Sequence, residues 1–503
     1  CTRCGDCLPV CPTAAINLEA RPHLFEDTFG AVFLATGSVN VDLAGSEHLA
    51  GSEPDVVRSL EFERLLDHGL ERPSDGEEPE RVVFVLCAGS RATLGKTGEG
   101  VPYCSKTCCG ATVKQAERVV SRHPMTEVVI VYYGDIRTYE RALESFYVKL
   151  QALGVEFVNG DVEGIVPDEA GRLQVRVALR PGEVPDLDDA EVDDGTLVLD
   201  TDLVVLAAAQ TPARRTAELM AQLGVQADLH GFPLENQVRL FRPTESMVDR
   251  VFAIGGSVGP KVVQQSVEQG SASVMKALPL LMSGHKEVGR FVSRVAEDTC
   301  IRCRTCMAVC PHGAIRMTDD GAVIDPAFCQ ACGLCAASCP THAAQLVNFS
   351  DRQILDQARV AFEALPAGEP RILALLCHWC AYAGGDLAGI KGMVAPANHR
   401  SIRIRCSSSV NLGLVAEMFR LGIDGVLIAG CPERNCHHAW GNYLSDRRVG
   451  LMKRLFEELG VSPKRLRFEY IGVPQSQQFV DVLVQMDRDL RALGPNPIPT
   501  LSR

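Results

Sequence analysis

The feature that most constrains this chain is a short cysteine pattern that occurs three times. Each copy has four cysteines, separated by two, two and three residues, and a proline follows the last one. The copies read "CTRCGDCLPVCP", "CIRCRTCMAVCP" and "CQACGLCAASCP". Three closely spaced thiolates of such a run hold one 4Fe–4S cluster, and the fourth cysteine ligates a neighbouring cluster. We therefore expect the chain to fold around metal clusters at these places.

The second and third copies lie within residues 300–340 and predict a complete two-cluster unit of the bacterial ferredoxin type. The spacing predicts two ligand sets, which are Cys300, Cys303 and Cys306 with Cys339, and Cys329, Cys332 and Cys335 with Cys310. A zinc knuckle is the alternative, but zinc sites rarely combine a triple run with a Cys-Pro ending.

The first copy contributes Cys1, Cys4, Cys7 and Cys11 and has no partner run beside it. Either Cys11 serves a cluster whose other ligands are missing from this sequence, or the four cysteines bind one cluster alone. Because the chain starts inside this motif and without a methionine, we expect an N-terminally truncated fragment.

Composition excludes several classes of protein. The 503 residues are 46% hydrophobic and carry a net charge of −13, which argues against a nucleic-acid partner. The longest apolar runs are far shorter than the ~20 residues needed to cross a bilayer. The 21 cysteines fall in short-spaced groups with ligand character rather than in a disulfide framework. We expect a protein of a reducing cytoplasm whose thiolates hold metal.

Between the cysteine runs lies α/β sequence. "FGAVFLATGS" (29–38) predicts a buried strand, and "DTDLVVLAAAQTP" (200–212) predicts another. "DRVFAIGGSVGPKVVQQSVEQGSASVMKAL" (249–278) predicts a strand, a glycine-rich turn and a long helix. This succession resembles flavoprotein reductases of the thioredoxin reductase type, which have two dinucleotide-binding domains and set a helix N-terminus against the flavin.

That resemblance implies FAD contacts at Thr36, Gly37, Gly255, Gly256, Ser257, Pro260 and Lys261. Two departures from the family matter. Gly255-Gly256 stands where the family has Gly-Asp, and the opening Gly-x-Gly-x-x-Gly is absent. Lys261 is expected either to stabilise an anionic reduced flavin or to be a solvated lysine at the start of a helix.

A second dinucleotide-type domain is predicted to begin at "ERVVFVLCAGSR" (80–91). Its strand runs into Cys87 where a nicotinamide-binding domain would show glycines. The segment "PYCSKTCCGATVKQAERVV" then opens a helix with Cys104, Cys108 and Cys109. Ligands of such folds bind at the carboxyl ends of strands, so these four thiolates predict a cluster in the place of a nicotinamide.

The remaining five cysteines follow a predicted linker helix (350–365). Cys377 and Cys380, Cys406, and Cys431 and Cys436 each end one of three predicted parallel strands, so the sheet would gather them at one edge. Five sulfurs suit a four-thiolate cluster with one spare cysteine. Zinc is the alternative, since a Cys-x-x-Cys pair with the nearby His437 and His438 suits that metal; the histidines are otherwise surface residues.

Together these motifs resemble the A subunit of heterodisulfide reductase. That family combines a thioredoxin-reductase-like FAD core with an inserted ferredoxin module and a C-terminal two-cluster ferredoxin. It also carries an unusual cluster in the segment that corresponds to "CAGSR" and "PYCSKTCC". Residues 371–485, with "CHWCAYAGGDLAG" and "GCPERNCHHAWGNYLSDRRV", resemble the delta subunit of methyl-viologen-reducing hydrogenase, which carries a 2Fe–2S cluster. Such a fusion is also similar to the B subunit of the quinone-interacting membrane-bound oxidoreductase.

The expected fold class is α/β, with a two-dinucleotide-domain flavoprotein core, an α+β two-cluster ferredoxin module and a C-terminal doubly wound α/β iron–sulfur domain. The predicted boundaries are 1–23 for the remnant of the inserted ferredoxin module, 24–79 for part of the FAD domain, 80–215 for the second dinucleotide-type domain, 216–288 for the return segment of the FAD domain, 289–349 for the ferredoxin domain, 350–370 for the linker and 371–490 for the hydrogenase delta-subunit-like domain.

The predicted function is that of an electron-transfer subunit that contains several 4Fe–4S clusters, one 2Fe–2S cluster and FAD. The resemblance implies oxidoreductase partners, namely heterodisulfide reductase B- and C-like subunits, a hydrogenase or a membrane quinone-reactive subunit, and a homodimer. The activity that the resemblance implies includes flavin-based electron bifurcation, and a quinone-linked relay in sulfur metabolism is the alternative. A stand-alone NAD(P)H-dependent reductase and a non-redox zinc scaffold are the rival classes. The expected location is cytoplasmic, at the inner membrane only through partner subunits.

Overall fold

The computed structural model describes residues 3–21, 25–43, 46, 48–49, 52–92, 100–168, 171–183, 191–236, 242–285, 287–289 and 291–499. The strands are β1 (Val32–Leu34), β2 (Ser38–Asn40), β3 (Val56–Arg58), β4 (Arg81–Ala88), β5 (Glu127–Tyr132), β6 (Glu156–Pro167), β7 (Leu173–Leu179), β8 (Glu191–Asp193), β9 (Thr196–Thr201), β10 (Leu203–Ala208), β11 (Gln210–Pro212), β12 (Val251–Ala253), β13 (Ser293–Val295), β14 (Ile315–Thr318), β15 (Gly321–Ile324), β16 (Ala344–Leu346), β17 (Ile372–Cys377), β18 (His399–Ile404), β19 (Gly425–Gly430) and β20 (Leu466–Tyr470).

The helices are α1 (Cys7–Val10), α2 (Ser59–His68), α3 (Cys108–Arg122), α4 (Arg141–Ala152), α5 (Thr216–Leu223), α6 (Val263–Ser283), α7 (Thr305–Val309), α8 (Leu334–Ser338), α9 (Asp351–Ala361), α10 (Ala381–Ile390), α11 (Leu412–Arg420), α12 (Gly441–Glu458) and α13 (Ser476–Leu493). Short 3₁₀ turns cover Gly255–Val258, Ser407–Ser409 and Pro463–Arg465.

The largest sheet has eight strands in the order β3-β10-β4-β5-β6-β7-β9-β8. The first five strands are parallel, and β7, β8 and β9 extend the sheet in antiparallel pairs. Alternate residues of β4 enter two separate hydrophobic cores, one on each face, as expected for a strand that is apolar throughout. Because β3 pairs with β10, the sheet starts before the predicted domain boundary at residue 80.

The expected flavin-domain segments meet in two short pairings. β1 runs parallel to β12, and β2 pairs with β11 in antiparallel register. The prediction of a buried strand over 29–38 is wrong in its extent: of the three residues in β1, only Leu34 is buried. Phe33 is 37% exposed and stacks on Phe252, because β1 pairs with β12 alone among the described strands.

The ferredoxin region is built from two small antiparallel pairs, β13 with β16 and β14 with β15. The short helices α7 and α8 each start within one cysteine run, just after a residue in left-handed conformation, Arg304 (φ 63°) or Gly333 (φ 75°). These turns let the closely spaced thiols of a run face one point instead of continuing along a helix.

The C-terminal sheet is parallel, with the strand order β18-β17-β19-β20. Strands β17 and β19 are buried along their whole length, since helices α11 and α12 cover one face and α10 and α13 the other. Helix α9, predicted to be a linker, contributes Ile354 and Ala358 to the core of this sheet. It is therefore part of the C-terminal domain.

The mixed α/β fold class predicted from the sequence is thus confirmed. Among the described residues, no helix combines the length and the apolar character that crossing a membrane requires.

Candidate metal centres

One group of thiols lies at the end of β4. Cys87 stands there with a φ of 61°, a left-handed conformation that turns the chain sharply out of the strand. Cys108 and Cys109 begin helix α3 and are buried against the same core. Cys104 lies close enough for its charge to act on both Cys87 and Cys108. The four cysteines that the sequence assigns to one cluster are thus neighbours in the fold.

Two arginines, Arg91 and Arg137, influence the pKa values of this group. Burial raises the pKa of Cys87 to about 11. A hydrogen bond from Cys108, with further help from Arg91 and Arg137, lowers the pKa of Cys109 to about 7. Arg91 is itself buried and donates hydrogen bonds to the Tyr133 carbonyl (2.7 Å) and to Asp135 (3.0 Å). A buried guanidinium favours the thiolate form, which is the form that binds iron.

The ferredoxin region contains two separate small cavities, each with four cysteines in its wall. One cavity is lined by Cys300, Cys303, Cys306 and Cys339. The other is lined by Cys310, Cys329, Cys332 and Cys335. In each, three thiols of one run meet the last cysteine of the other, which is the pairing that the sequence predicts.

Backbone groups approach these sulfurs as well. The Ser293 N–H donates to Cys329 Sγ at 3.5 Å, and a Cβ added at Gly321 would lie 3.4 Å from Cys300 Sγ. Close approach of peptide groups to the thiols suits a cluster, because hydrogen bonds to sulfur tune its potential.

The N-terminal run is only partly described. Cys4 is exposed, and Cys7, the first residue of α1, and Cys11, which directly follows α1, are half-buried. The Ala15 N–H donates to Cys11 Sγ at 3.3 Å, and this bond is the main cause of a lowered pKa at Cys11. Cys1, the fourth predicted ligand, lies outside the described residues.

The five C-terminal cysteines converge at the edge of the parallel sheet. Cys431 has Cys377, Cys380 and Cys436 as hydrogen-bonding neighbours, and its Sγ lies 3.9 Å from that of Cys377. Cys406 contacts Cys377 and Cys436, so four of the thiols form a closed ring. Cys380 lies outside this ring and is hydrogen-bonded to Cys431. Hydrogen bonds from Cys431 and His437 lower the pKa of Cys380 to about 5.

One side chain without a predicted role completes this site. Ser408 donates from its hydroxyl to Cys406 Sγ at 3.1 Å, and both residues are fully buried. The hydrogen bonds from Cys377, Cys436 and Ser408 hold the pKa of Cys406 well below its ordinary value. The three serines that follow Cys406 in "RCSSSV" are the signal that would have pointed to this contact.

The two predicted histidines differ from each other. His437 stacks on Trp379, with ring centroids 4.3 Å apart, and one of its nitrogens lies within 4.8 Å of the Cys380 and Cys431 sulfurs. His438 is buried, which corrects the alternative that both histidines are surface residues, and burial lowers its pKa to about 3.

The residues expected to contact FAD lie at the meeting point of the two short pairings. The hydroxyl groups of Thr36 and Thr216 form a hydrogen bond of 2.7 Å, and the Ser257 hydroxyl donates to the Leu34 carbonyl at 2.8 Å. A Cβ at Gly256 would lie 3.1 Å from Ser38 Oγ, whereas one at Gly37 would meet nothing within 4 Å. Pro260 is buried, and half-buried Lys261 has its pKa lowered by desolvation.

The donor chemistry of the cysteine sites fits iron–sulfur clusters. Each of the two ferredoxin cavities is walled by four thiols in an otherwise mostly apolar lining, and four thiols meet at the end of β4. Tetrathiolate sets hold both 2Fe–2S and 4Fe–4S clusters. All 20 described cysteines are free thiols, so none is withdrawn into a disulfide.

Two family models match parts of the chain. Residues 293–354 match the 4Fe-4S dicluster domain, and residues 372–494 match the delta subunit of methyl-viologen-reducing hydrogenase. A solved structure of an FAD-bound cadaverine monooxygenase from Erwinia amylovora covers 51% of this chain and 61% of its own, at 10% identity and a TM-score of 0.29. So weak a likeness gives no support to a shared fold or cofactor.

Several curated proteins are similar to the chain over much of its length. The A subunit of the ferredoxin:CoB-CoM heterodisulfide reductase of Methanosarcina mazei is 35% identical over 98% of this chain and 61% of its own length. The A subunit of the ferredoxin/F(420)H(2)-dependent CoB-CoM heterodisulfide reductase of Methanosarcina acetivorans is 36% identical with the same coverage. The A subunit of the H(2):CoB-CoM heterodisulfide,ferredoxin reductase of Methanothermobacter thermautotrophicus is 31% identical over 65% of this chain and 48% of its own length.

The chain thus spans about three fifths of the length of the first two relatives. The resemblance drawn from the cysteine motifs is confirmed: the chain is a homologue of the heterodisulfide reductase A subunits over nearly its whole length, and it carries a 4Fe–4S dicluster domain followed by a hydrogenase delta-subunit domain.

Proposed function

We propose that this chain is an iron–sulfur flavoprotein subunit that transfers electrons within a heterodisulfide reductase-like oxidoreductase complex. The observation that carries the proposal is the convergence of cysteines that are distant in sequence into separate thiol groups. Residues 310 and 329–335 form one such group, and residues 377–436 form another beside it. Thiol groups in close succession suit the relay of single electrons.

The proposal assigns residues to each of these groups. The thiols at the end of β4 and the two ferredoxin sets would each hold a 4Fe–4S cluster, and four of the five C-terminal cysteines would hold a 2Fe–2S cluster. The turn at Gly255–Val258, with Thr36 and Gly37 opposite, would contact FAD. Bound clusters supply one-electron transfer, and FAD couples one-electron to two-electron steps.

The protein environment around these sites favours the relay over hydride chemistry. Cys87 is the second-last residue of β4, at the carboxyl edge of the large sheet, where a nicotinamide cofactor would otherwise lie. Arg91 supplies a buried positive charge beside the thiols and so stabilises negative charge there. Ser408 does the same for Cys406 with a hydrogen bond. These contacts position thiolates and exclude water rather than bind a dinucleotide.

The partners belong to the same proposal. The relatives named above are subunits of larger reductases, and the C-terminal domain matches a hydrogenase subunit, so we infer oxidoreductase partners of the heterodisulfide reductase B/C or hydrogenase kind. Electron bifurcation at the flavin is one form that this activity takes in such a complex. A peripheral position at a membrane would come from the partners.

Anaerobic purification followed by metal, sulfide and flavin analysis tests the proposal. We expect about four irons for each of the two ferredoxin sites and the site beside β4, about two for the C-terminal site, and further iron bound by the N-terminal run, with matching sulfide. Reduction with dithionite should bleach the visible absorbance, whereas NADH alone should not. Zinc in place of iron, or rapid NADH oxidation by the isolated chain, would contradict the proposal.

A further inference from the structure

Two buried histidines join the ferredoxin region to the C-terminal domain. His312 Nε2 and His438 Nδ1 lie 2.9 Å apart, although the residues are 126 positions apart in the sequence. Their side chains belong to residues that are only 4% and 3% exposed. A hydrogen bond between two neutral rings in such a place is directional, because no water competes for either nitrogen.

The protons of this pair are assigned by its neighbours. His312 Nδ1 lies 2.9 Å from the Met247 carbonyl oxygen, which only accepts, so His312 Nδ1 carries the proton. A neutral His312 then has an unprotonated Nε2, and His438 donates to it from Nδ1–H. The result is one hydrogen-bond chain from His438 through His312 to Met247, which precedes β12 of the predicted flavin domain.

Each histidine also follows a predicted cluster ligand by two residues. His312 follows Cys310 of the second ferredoxin set. The backbone N–H of His438 donates to Cys436 Sγ at 3.4 Å. Around the pair, Cys332 packs in one buried cluster with Cys406, Cys436 and Leu334, so thiols of two different sites are in contact.

A metal ion between these residues is not the better explanation. Nitrogen or sulfur atoms of His312, Cys332 and His438 lie within 4.8 Å of one another, a grouping that would suit a metal. However, both nitrogens of His312 and one of His438 already take part in the hydrogen-bond chain. Cys332 also lines the cavity of the second ferredoxin set.

We propose that His312 and His438 are positioning residues that lock the ligand loop after Cys310 to the ligand loop after Cys436. Their hydrogen bond holds the second ferredoxin site and the C-terminal site at one separation and orientation. The hydrogen bond from His312 to Met247 connects both sites to the segment that precedes β12. The proposal rests on the proposed function, since it concerns the distance between two cluster sites.

Three variants of the full chain test it. His438→Phe keeps a ring and the backbone N–H on Cys436 but removes the bond to His312. His438→Asn keeps a donor near the position of Nδ1. His342→Phe makes the same change at a ferredoxin-region histidine whose side chain is 56% exposed.

Three measurements are compared across these variants: iron content, the magnetic interaction between reduced clusters in electron paramagnetic resonance, and amide exchange at 311–314 and 436–441. For His438→Phe we expect full iron, a weakened magnetic interaction and faster exchange in both segments. Electron transfer between the two sites after rapid reduction should slow by about tenfold or more, as is usual when outer contacts of a metal site are lost. His438→Asn should recover most of the rate, and His342→Phe should match the wild type.

The possible results separate two kinds of failure. Unchanged magnetic interaction and transfer rate in an iron-replete His438→Phe would overturn the positioning role alone. Loss of iron from both His438 variants would also overturn it, because the pair would then support cluster binding rather than spacing. If His438→Phe does not fold, His438→Leu replaces it in the same comparison. A wild-type chain without iron would instead refute the proposed function, and this inference with it.

Discussion

The hydrogen bond from Ser408 to Cys406 gives a sharp test of the C-terminal site. The Ser408 hydroxyl lies 3.1 Å from Cys406 Sγ, and the residue is fully buried. Replacing Ser408 with alanine removes this bond and little else, because the Ser408 carbonyl that accepts from Arg448 at 2.8 Å is part of the backbone. The change therefore isolates one contact to one sulfur.

The size of the effect follows from the charge on the sulfur. A hydrogen bond to a charged acceptor contributes about 1.5–3 kcal/mol. We assign about 1 kcal/mol of this to the reduced state alone, since reduction makes the sulfur more negative. For a one-electron couple, a change of about 1.4 kcal/mol shifts the midpoint potential by about 59 mV. Ser408→Ala should therefore lower the midpoint potential by roughly 40 mV.

The assay is a redox titration of the reduced C-terminal cluster, followed by electron paramagnetic resonance, with iron content measured on the same sample. Ser409→Ala is the matched control, because the neighbouring hydroxyl donates to the Cys406 carbonyl at 2.8 Å and not to sulfur. An unchanged or higher potential in iron-replete Ser408→Ala would contradict the role of this hydrogen bond. So would an equal drop in Ser409→Ala.

Three further changes test other parts of the fold. Cys108→Ser should remove about four irons and leave the ferredoxin signal in place. Unchanged iron content would contradict the assignment of Cys108 as a cluster ligand. Gly333→Ala should lower the midpoint of thermal unfolding, at a cost of about 1–2 kcal/mol or more, because the residue has a φ of 75° and its Cβ would lie 2.6 Å from that of Ser409. Gly389 in α10 is exposed and has free space around it, so Gly389→Ala is the control and should raise the free energy of unfolding by about 0.5–1 kcal/mol. Equal losses of stability in both variants would contradict the clash at Gly333. Arg91→Met should lower the potential of the cluster beside β4 by removing a buried positive charge, as followed by the same titration, and a rise would contradict the assigned role.

The cysteine groups could be predicted because short stretches of sequence determine where each thiol lies. The spacing within a run decides which thiols face one point, and a cysteine that ends a parallel strand is carried to a known edge of the sheet. Thus Cys310 and Cys339 each line a cavity together with the other members of their predicted ligand sets, and the sulfurs of Cys377 and Cys431 lie 3.9 Å apart. Short-range pattern and strand direction together were sufficient.

Contacts made by single polar residues between distant segments could not be predicted in this way. His312 and His438 carry no pattern that links them, and a histidine beside a ligand is as often solvated as buried. Strand β3 has only three residues, and its place in the large sheet depends on pairing with β10. Burial of Phe33 failed as a prediction for the related reason that burial of a strand depends on its neighbours as well as on its own residues.

The burial of helix α9 has a consequence for how electrons would travel. Its residues Ile354 and Ala358 lie in the core of the C-terminal domain, and Arg448 of that domain donates to Ser338 of the ferredoxin region at 2.6 Å. A carrier domain on a flexible tether must diffuse between donor and acceptor, so its transfer rate falls as the solvent becomes more viscous. Here the covalent connection is packed into the core. Transfer between the two sites should therefore be independent of viscosity, with glycerol or sucrose slowing only the arrival of an external partner.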